Sequence, residues 1–420
     1  ALPISGGGDD QPSGIYWYAM LRIALILLVT TGCVEFNASG YHAAKSRGDM
    51  SHGPVPRADF RADLVAACGA GGRTARGVQE IARAPYLQRV ADRSAEILWT
   101  TASAGEQQVE LSRPGSPSFA VIAGKPDPAA TDQGLRRARL LSLEPQTIYC
   151  YSIRDSAGVL IAKTGFRTAP PPSIAKDEVI NIAVMGDLGY RTPDQAAVLK
   201  QIVGVPLDLV LLTGDIAYPN GTLEELDYHF FPIYAQLMGH IPFVISSGNH
   251  DRHTADGDPL RKALGFDRLY YSVDWGPLHL VVIDSDDLGA EQLRWLDADL
   301  AANRLPWVIA IFHRPPYSAG YHGGDSKMRE RVSPILRKHR VPLAVAGHEH
   351  NYERTKSIGG VVYLISGGGG RGTRSVGRSW FTEHSARVAH FTHITISGDT
   401  ATLRAVDATG QMFDSAIITR

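Results

Sequence analysis

Five short clusters of oxygen- and nitrogen-bearing side chains follow one another along the second half of the chain. They are Gly186-Asp187-Leu188-Gly189, Gly214-Asp215-Ile216-Ala217-Tyr218, Gly248-Asn249-His250-Asp251, a single His313, and Gly347-His348-Glu349-His350. Carboxylate, imidazole, phenol and amide carbonyl are hard to borderline donors that suit first-row metal ions. Only three cysteines are present, Cys33, Cys68 and Cys150, too few and too widely spaced for a cysteine-held cluster, so any metal must be bound by the other donors. His348 and His350 stand two apart and, in an extended segment, point to the same side, where both can converge on a pair of ions. Each cluster alone is weak, because Gly-Asp and Gly-His are common dipeptides. Five in order carry far more weight.

What precedes each cluster sharpens the reading. Apolar runs occupy 180–185, 209–213, 242–246, 278–283, 307–312, 343–346 and 361–365, alternating with helical stretches. Such runs read as strands buried on both faces of a layered α/β domain, and the loops at the carboxyl ends of those strands are where such sheets bind ligands. The glycines before the ligands, Gly186, Gly214, Gly248 and Gly347, permit sharp turns and close backbone approach.

With these motifs in order, the chain from about residue 179 onward resembles the purple acid phosphatases of the calcineurin-like phosphoesterase superfamily. The resemblance implies a four-layer αββα catalytic sandwich over 177–420. It implies that Asp187, Tyr218 and His350 hold one ion, usually ferric, and that Asn249, His313 and His348 hold a divalent Zn, Mn or Fe, with Asp215 bridging the two. Two carboxylates, a phenolate and a bridging hydroxide against five positive charges leave such a centre at about +1, which favours a phosphate anion. His250 is expected to contact the phosphate or the leaving oxygen, with Asp251 orienting its imidazole. His322 resembles an outer histidine of the family and is the better candidate proton donor. Gly323 stands where a second histidine is frequent, which leaves the acid open between His322 and His250. Arg314 either contacts substrate or pairs with an acidic neighbour, and Glu353 with Arg354 braces the last ligand loop. Gly367 to Gly370 form either an anion nest or a flexible turn. The other ten histidines have no motif context.

The reaction implied is hydrolysis of a small phosphorylated substrate by a metal-bound hydroxide, with an acid phosphatase acting on phosphomonoesters as the first reading. Phosphodiesters or nucleotides are the alternative, since loops 255–266 and 315–327 set substrate size. A non-enzymatic metal-binding or adhesive protein is a third reading, and it would require a ligand to be missing.

Upstream, short alternating segments separated by turn residues fill 83–170. They resemble a fibronectin type III sandwich, with Trp99 in the core and Tyr149 at the corner of a late strand, acting as a scaffold for the enzyme. Residues 34–82, rich in Gly, Ala, Arg and Ser, read as a poorly ordered linker. Met20, Arg22, the apolar stretch 23–29 and the small residues up to Cys33 have the layout of a signal peptide ending in a lipoprotein processing site, and 1–19 is an unassigned leader. The apolar stretch is shorter than the roughly 20 residues of a spanning helix. The protein is therefore expected in the periplasm or cell envelope, touching membrane only through a lipid on Cys33. Cys68 and Cys150 are either disulfide-bonded or free. The 42 basic and 43 acidic residues leave a net charge of −1 and no global field toward nucleic acid. Oligomeric state is not legible.

Overall fold

A computed structural model describes residues 46–69, 72–73, 83–101, 105–172 and 178–420. The leader, the signal segment and Cys33 lie outside these residues.

Nine described strands make up the first region: β1 (Gly72–Arg73), β2 (Arg83–Gln88), β3 (Ala95–Thr100), β4 (Gln107–Ser112), β5 (Ser118–Ala123), β6 (Lys125–Pro126), β7 (Leu135–Leu140), β8 (Ile148–Asp155) and β9 (Leu160–Arg167). They pair antiparallel into two sheets, ordered β1-β9-β8-β4-β5 and β2-β3-β7-β6. Along β4, buried and half-buried residues alternate strictly, as a strand with one face on a core requires. Trp99 of β3 is fully buried, and its Nε1 donates to Gln107 Oε1 of β4 at 2.6 Å, tying one sheet to the other. The hydroxyl of Tyr149, at the start of β8, accepts the Glu144 N–H at 2.9 Å and pins the preceding turn.

The described part of 34–82 departs from the expected loose linker. Residues 46–57 lie along the C-terminal strands, with Gly48 N donating to Phe413 O at 2.7 Å and Arg57 Nη2 to Gly410 O at 2.7 Å. Helix α1 (Ala62–Cys68) follows, and Cys68 is disulfide-bonded to Cys150. The segment shows little periodicity because it takes its order from the strands it lies on.

The second region contains thirteen described strands. The first seven are β10 (Val179–Met185), β11 (Leu209–Thr213), β12 (Phe243–Ser246), β13 (Tyr271–Trp275), β14 (Leu278–Val282), β15 (Trp307–Ile311) and β16 (Leu343–Ala346). The rest are β17 (Tyr352–Thr355), β18 (Val362–Ser366), β19 (Thr382–Ala386), β20 (His390–Ser397), β21 (Thr400–Asp407) and β22 (Met412–Thr419). One sheet runs β12-β11-β10-β20-β21-β22 and the other β13-β14-β15-β16-β18-β17-β19. Among the described residues, parallel pairing is confined to β10, β11 and β12 in the first sheet and β14, β15, β16 and β18 in the second.

These seven parallel strands coincide, to within a residue or so, with the seven apolar runs, because each buries both faces. Leu280, Ile309, Leu343 and Leu364 join Val184 and Leu211 of the opposite sheet in one core. Their neighbours Val281, Ala310, Ala344 and Ile365 face outward, onto Leu296 and Leu300 of one helix (Ala290–Ala302) and Leu336 of another (Ser333–Lys338). On the far side of the first sheet, α2 (Pro193–Ile202) packs through Val198 and Ile202, its first turn capped by Thr192. The result is the expected helix, sheet, sheet, helix stack.

Buried polar contacts join the two regions. Tyr86 donates to Ala263 O at 2.5 Å, Tyr151 to Gly239 O at 3.0 Å, and Arg83 Nε sits 2.5 Å from Asp227 Oδ1. Replacing Cys68 and Cys150 together by serine frees a cross-link between positions 82 residues apart and is expected to lower stability by about 4 kcal/mol. The checking measurement is the thermal midpoint under non-reducing conditions; a midpoint equal to wild type would show that the bond contributes nothing.

Candidate metal centre

The strand ends bring all seven predicted ligands to one place. Asp187 follows β10, Asp215 and Tyr218 follow β11, Asn249 follows β12, and His313 and the His348/His350 pair follow β15 and β16. Among the described residues, donor atoms of Asp187, Asp215 and His350 all lie within 4.8 Å of one another. The Tyr218 hydroxyl joins them, 2.8 Å from Asp215 Oδ2, 3.3 Å from Asp187 Oδ1 and 3.2 Å from His350 Nε2. A second group gathers beside the first. His313 Nε2 lies 3.2 Å from Asn249 Oδ1, 3.2 Å from His348 Nδ1 and 3.4 Å from Asp215 Oδ1. The two oxygens of Asp215 thus face the two groups, one each.

Four of the seven predicted ligands adopt left-handed backbone that residues with a Cβ rarely take: Asp187 (φ 55°), Asp215 (φ 53°), His348 (φ 73°) and His350 (φ 38°). A glycine would relieve the strain but would remove the donor. The strain is locked in by hydrogen bonds. Asp187 N donates to Gly214 O at 3.0 Å, Leu188 N to Asp215 O at 3.1 Å, and His348 N to Asp187 Oδ2 at 2.8 Å. Gly248 is needed for a different reason: a Cβ there would collide with Asp215 Oδ1 and its backbone N.

Asp251 plays a role other than the one expected. Its buried carboxylate accepts the N–H groups of Ile216 (2.9 Å), Ala217 (3.0 Å) and Gly248 (2.8 Å), stitching the β11 loop to the β12 loop. Burial and the nearby Asp215 charge push it up to about 7. The His250 ring is oriented instead by the Pro219 carbonyl, 2.7 Å from Nδ1, and packs at 4.5 Å against Tyr218. Arg314 pairs with Asp286 at 2.7 Å, the acidic-neighbour alternative, while its Nη1 lies 3.2 Å from His348 Nε2. Glu353 ties the loop after His313 to β19 rather than the last ligand loop, accepting from Ala319 N at 2.8 Å and from Thr382 Oγ1 at 2.7 Å.

His322 stacks on His348 at 4.3 Å, and both of its ring nitrogens lie within 3.2 Å of Arg374 Nη1. Partial burial and then the Arg374 charge hold it below the usual histidine range. Two residues missed in the sequence act here. Buried Glu349 accepts the His322 N–H at 2.9 Å, and its place between two ligand histidines was a usable signal. Arg374 carried none.

Charge crowding gives the ligands opposed protonation. Burial alone would lower His313, but Asp215 and Asp187 raise it to about 10. His348 is lowered to about 2 by burial and by His313. Tyr218 is driven well above the ordinary phenol range by burial and by Asp187 and Asp215. Buried carboxylates that hold protons on adjacent donors are ready to exchange those protons for cations, and the hard donor set fits first-row ions.

Residues 180–352 match the family model described as calcineurin-like phosphoesterase. Purple acid phosphatase 15 of Arabidopsis thaliana is 28% identical over 287 residues, covering 56% of this chain and 53% of the relative. Purple acid phosphatase 21 of the same plant is 29% identical over 265 residues, covering 56% and 58%. The chain therefore spans a little over half the length of these relatives. Among solved structures, a purple acid phosphatase from yellow lupin (Lupinus luteus) seeds superposes with a TM-score of 0.71 at 21% identity, covering 80% of this chain and 74% of that one. PhoD superposes with a TM-score of 0.63 at 13% identity, covering 82% and 90%. Both likenesses establish the fold.

Because His313 and Tyr218 must each lose a proton to ligate, metal affinity should rise as pH rises from 6 toward the raised His313 value of about 10. Calorimetric titration in buffers of different ionisation enthalpy reads the protons released; an affinity that does not change with pH would contradict the protonation pattern.

Proposed function

We propose that this chain, whose residues 180–352 match the calcineurin-like phosphoesterase model, is a dinuclear-metal phosphoester hydrolase, an acid phosphatase of the purple type acting on small phosphomonoesters. The observation that carries this reading is the Asp215 carboxylate, one oxygen 2.8 Å from the Tyr218 hydroxyl and the other 3.4 Å from His313 Nε2. Asp187, Tyr218 and His350 would hold one ion and Asn249, His313 and His348 the other, with Asp215 shared. A bound pair of cations supplies Lewis acidity toward phosphate oxygens and lowers the pKa of coordinated water. We assign ferric iron to the Tyr218 side, because a phenolate beside two carboxylates is a hard, anionic donor set that matches a trivalent ion. The second ion is Zn, Mn or Fe(II).

The chain's own residues complete the reaction. His250 is the proposed proton donor: its Nδ1 donates to the Pro219 carbonyl at 2.7 Å, which orients the ring and leaves Nε2 for the leaving oxygen. His322, with a guanidinium against both nitrogens, is poorly placed to carry a second positive charge and instead donates a hydrogen bond to the phosphate. The buried Glu349 fixes its backbone. The β-sandwich serves as a scaffold of fibronectin type III character, supported by the corner contact of Tyr149 and the buried Trp99. Export to an oxidising compartment is supported by the Cys68–Cys150 disulfide, and a lipid on Cys33 would be the membrane attachment.

Metal analysis with a visible spectrum tests the centre. Wild type should contain iron and show a broad phenolate-to-iron absorption that Tyr218→Phe abolishes, whereas Asp215→Ala should lose both ions and activity together. A colourless, iron-free but active wild-type enzyme would remove the ferric assignment. The proton donor is tested separately, by leaving-group dependence. His250→Ala should slow alkyl phosphates by about 10²- to 10⁴-fold and p-nitrophenyl phosphate much less, while His322→Ala should slow both alike; the reverse pattern would exchange the two roles.

A further inference from the structure

The tetraglycine run after β18 is neither an anion nest nor a loose turn. Gly367 N donates to Asn351 O, Gly369 N to Gly186 O at 2.9 Å and Arg371 N to Asp187 O at 2.9 Å, so these N–H groups already have partners. A Cβ on any of the four glycines would collide with a neighbour: Asp187 Oδ2 at Gly367, His390 at Gly368, Gly186 O at Gly369 and Gln195 at Gly370. The Thr192 hydroxyl closes the run by donating to Gly370 O at 2.6 Å. Four glycines in succession are thus what allows the backbone to pass between the Asp187 loop and the start of α2. What the passage delivers is Arg371.

The Arg371 guanidinium lies 4.9 Å from the ring centroid of Tyr218, a proposed ligand, and 4.9 Å from that of Tyr190, which is 47% exposed. Its buried Nε has no hydrogen-bond partner. Three residues on, Arg374 N is fixed to His350 O at 2.9 Å, and Arg374 Nη1 lies over His322 and 3.5 Å from His348 O. Neither arginine has a carboxylate within ion-pair distance among the described residues, in contrast to Arg314, whose charge is matched by Asp286. One short segment therefore places two guanidinium groups with no ion-pair partner among the described residues against proposed ligands of both halves of the centre, the buried Glu349 beside His322 offsetting part of the Arg374 charge. Aromatic backing holds such planar groups in place without neutralising them.

We propose that Arg371 and Arg374 form an anion site at the mouth of the metal centre, which takes a second phosphate group carried on the leaving group of the substrate. The inference rests on the hydrolase reading above and adds its substrate class: bisphosphorylated or diphosphate compounds over singly phosphorylated ones. Two positive charges matched to one dianion, in planar donors able to form paired hydrogen bonds, favour phosphate over a neutral leaving group.

The test compares fructose 1,6-bisphosphate with fructose 6-phosphate on the metal-loaded full chain. Wild type should prefer the bisphosphate in kcat/KM. Arg371→Met, which keeps the aliphatic stem, and Arg374→Gln should each raise KM for the bisphosphate by about tenfold and alter fructose 6-phosphate several-fold less. Arg371→Lys should recover part of the loss. Inhibition by pyrophosphate relative to phosphate reads the same site without turnover, and pyrophosphate should lose its advantage in both variants. Equal losses for both sugars, or an unchanged pyrophosphate to phosphate ratio in folded variants with wild-type metal content, would overturn the proposal. A metal-loaded wild type that hydrolyses neither sugar and no p-nitrophenyl phosphate would remove the hydrolase reading itself, and this inference with it.

Discussion

A single carboxylate must face two donor groups at once, and much of the architecture follows from that requirement on Asp215. Its oxygens reach Tyr218 on one side and His313 on the other, from a residue with φ of 53°. For that to hold, the β12 loop must come so close that position 248 can carry no side chain, and the β11 and β12 loops must be tied together by Asp251. Left-handed backbone at four ligands costs on the order of 1–3 kcal/mol each. Strain of that size persists only where the surroundings over-determine the geometry. Here the surroundings are two parallel strand sets whose carboxyl ends open onto one seam: β10, β11 and β12 from one sheet, β15 and β16 from the other.

The same logic explains what could be read from the sequence. Parallel strands bury both faces, so they appear as uninterrupted apolar runs, and all seven were visible. The antiparallel strands β20 and β22, reading HFTHITIS and MFDSAIIT, interleave polar residues and were not picked out as runs. Four of the seven proposed ligands, Asp187, Asp215, Asn249 and His348, directly follow a glycine, and at Gly248 the close approach to Asp215 demands one; Tyr218, His313 and His350 carry no such marker and rest on the resemblance. Positive φ at Asp187 or His350 was not legible, since nothing in an aspartate or histidine announces it. Asp251 was misassigned for an instructive reason: adjacency to His250 suggested a side-chain partnership, but the turn aims its carboxylate at the backbone of another loop. Gly367 to Gly370 offered two readings, and the structure takes neither, because a run of glycines can signal crowding as readily as freedom.

Electrostatics supplies the remaining constraint. The chain is almost neutral overall, so whatever draws an anion must be local. At the centre, Asp187 and Asp215 are both fully buried, with Tyr218 between them. Without cations this cluster is anionic or holds its charge in check by keeping protons on His313 and Tyr218, and in neither state would it welcome phosphate. The guanidinium groups of Arg371 and Arg374 lie one side chain further out, beside Tyr218 and His322. A carboxylate pair this buried, left unfilled, would offset their attraction. Once cations replace the protons, centre and rim carry the same sign. Anion capture then depends on the two layers together: the arginines on the rim can act on a phosphate only after the buried carboxylates behind them have been neutralised.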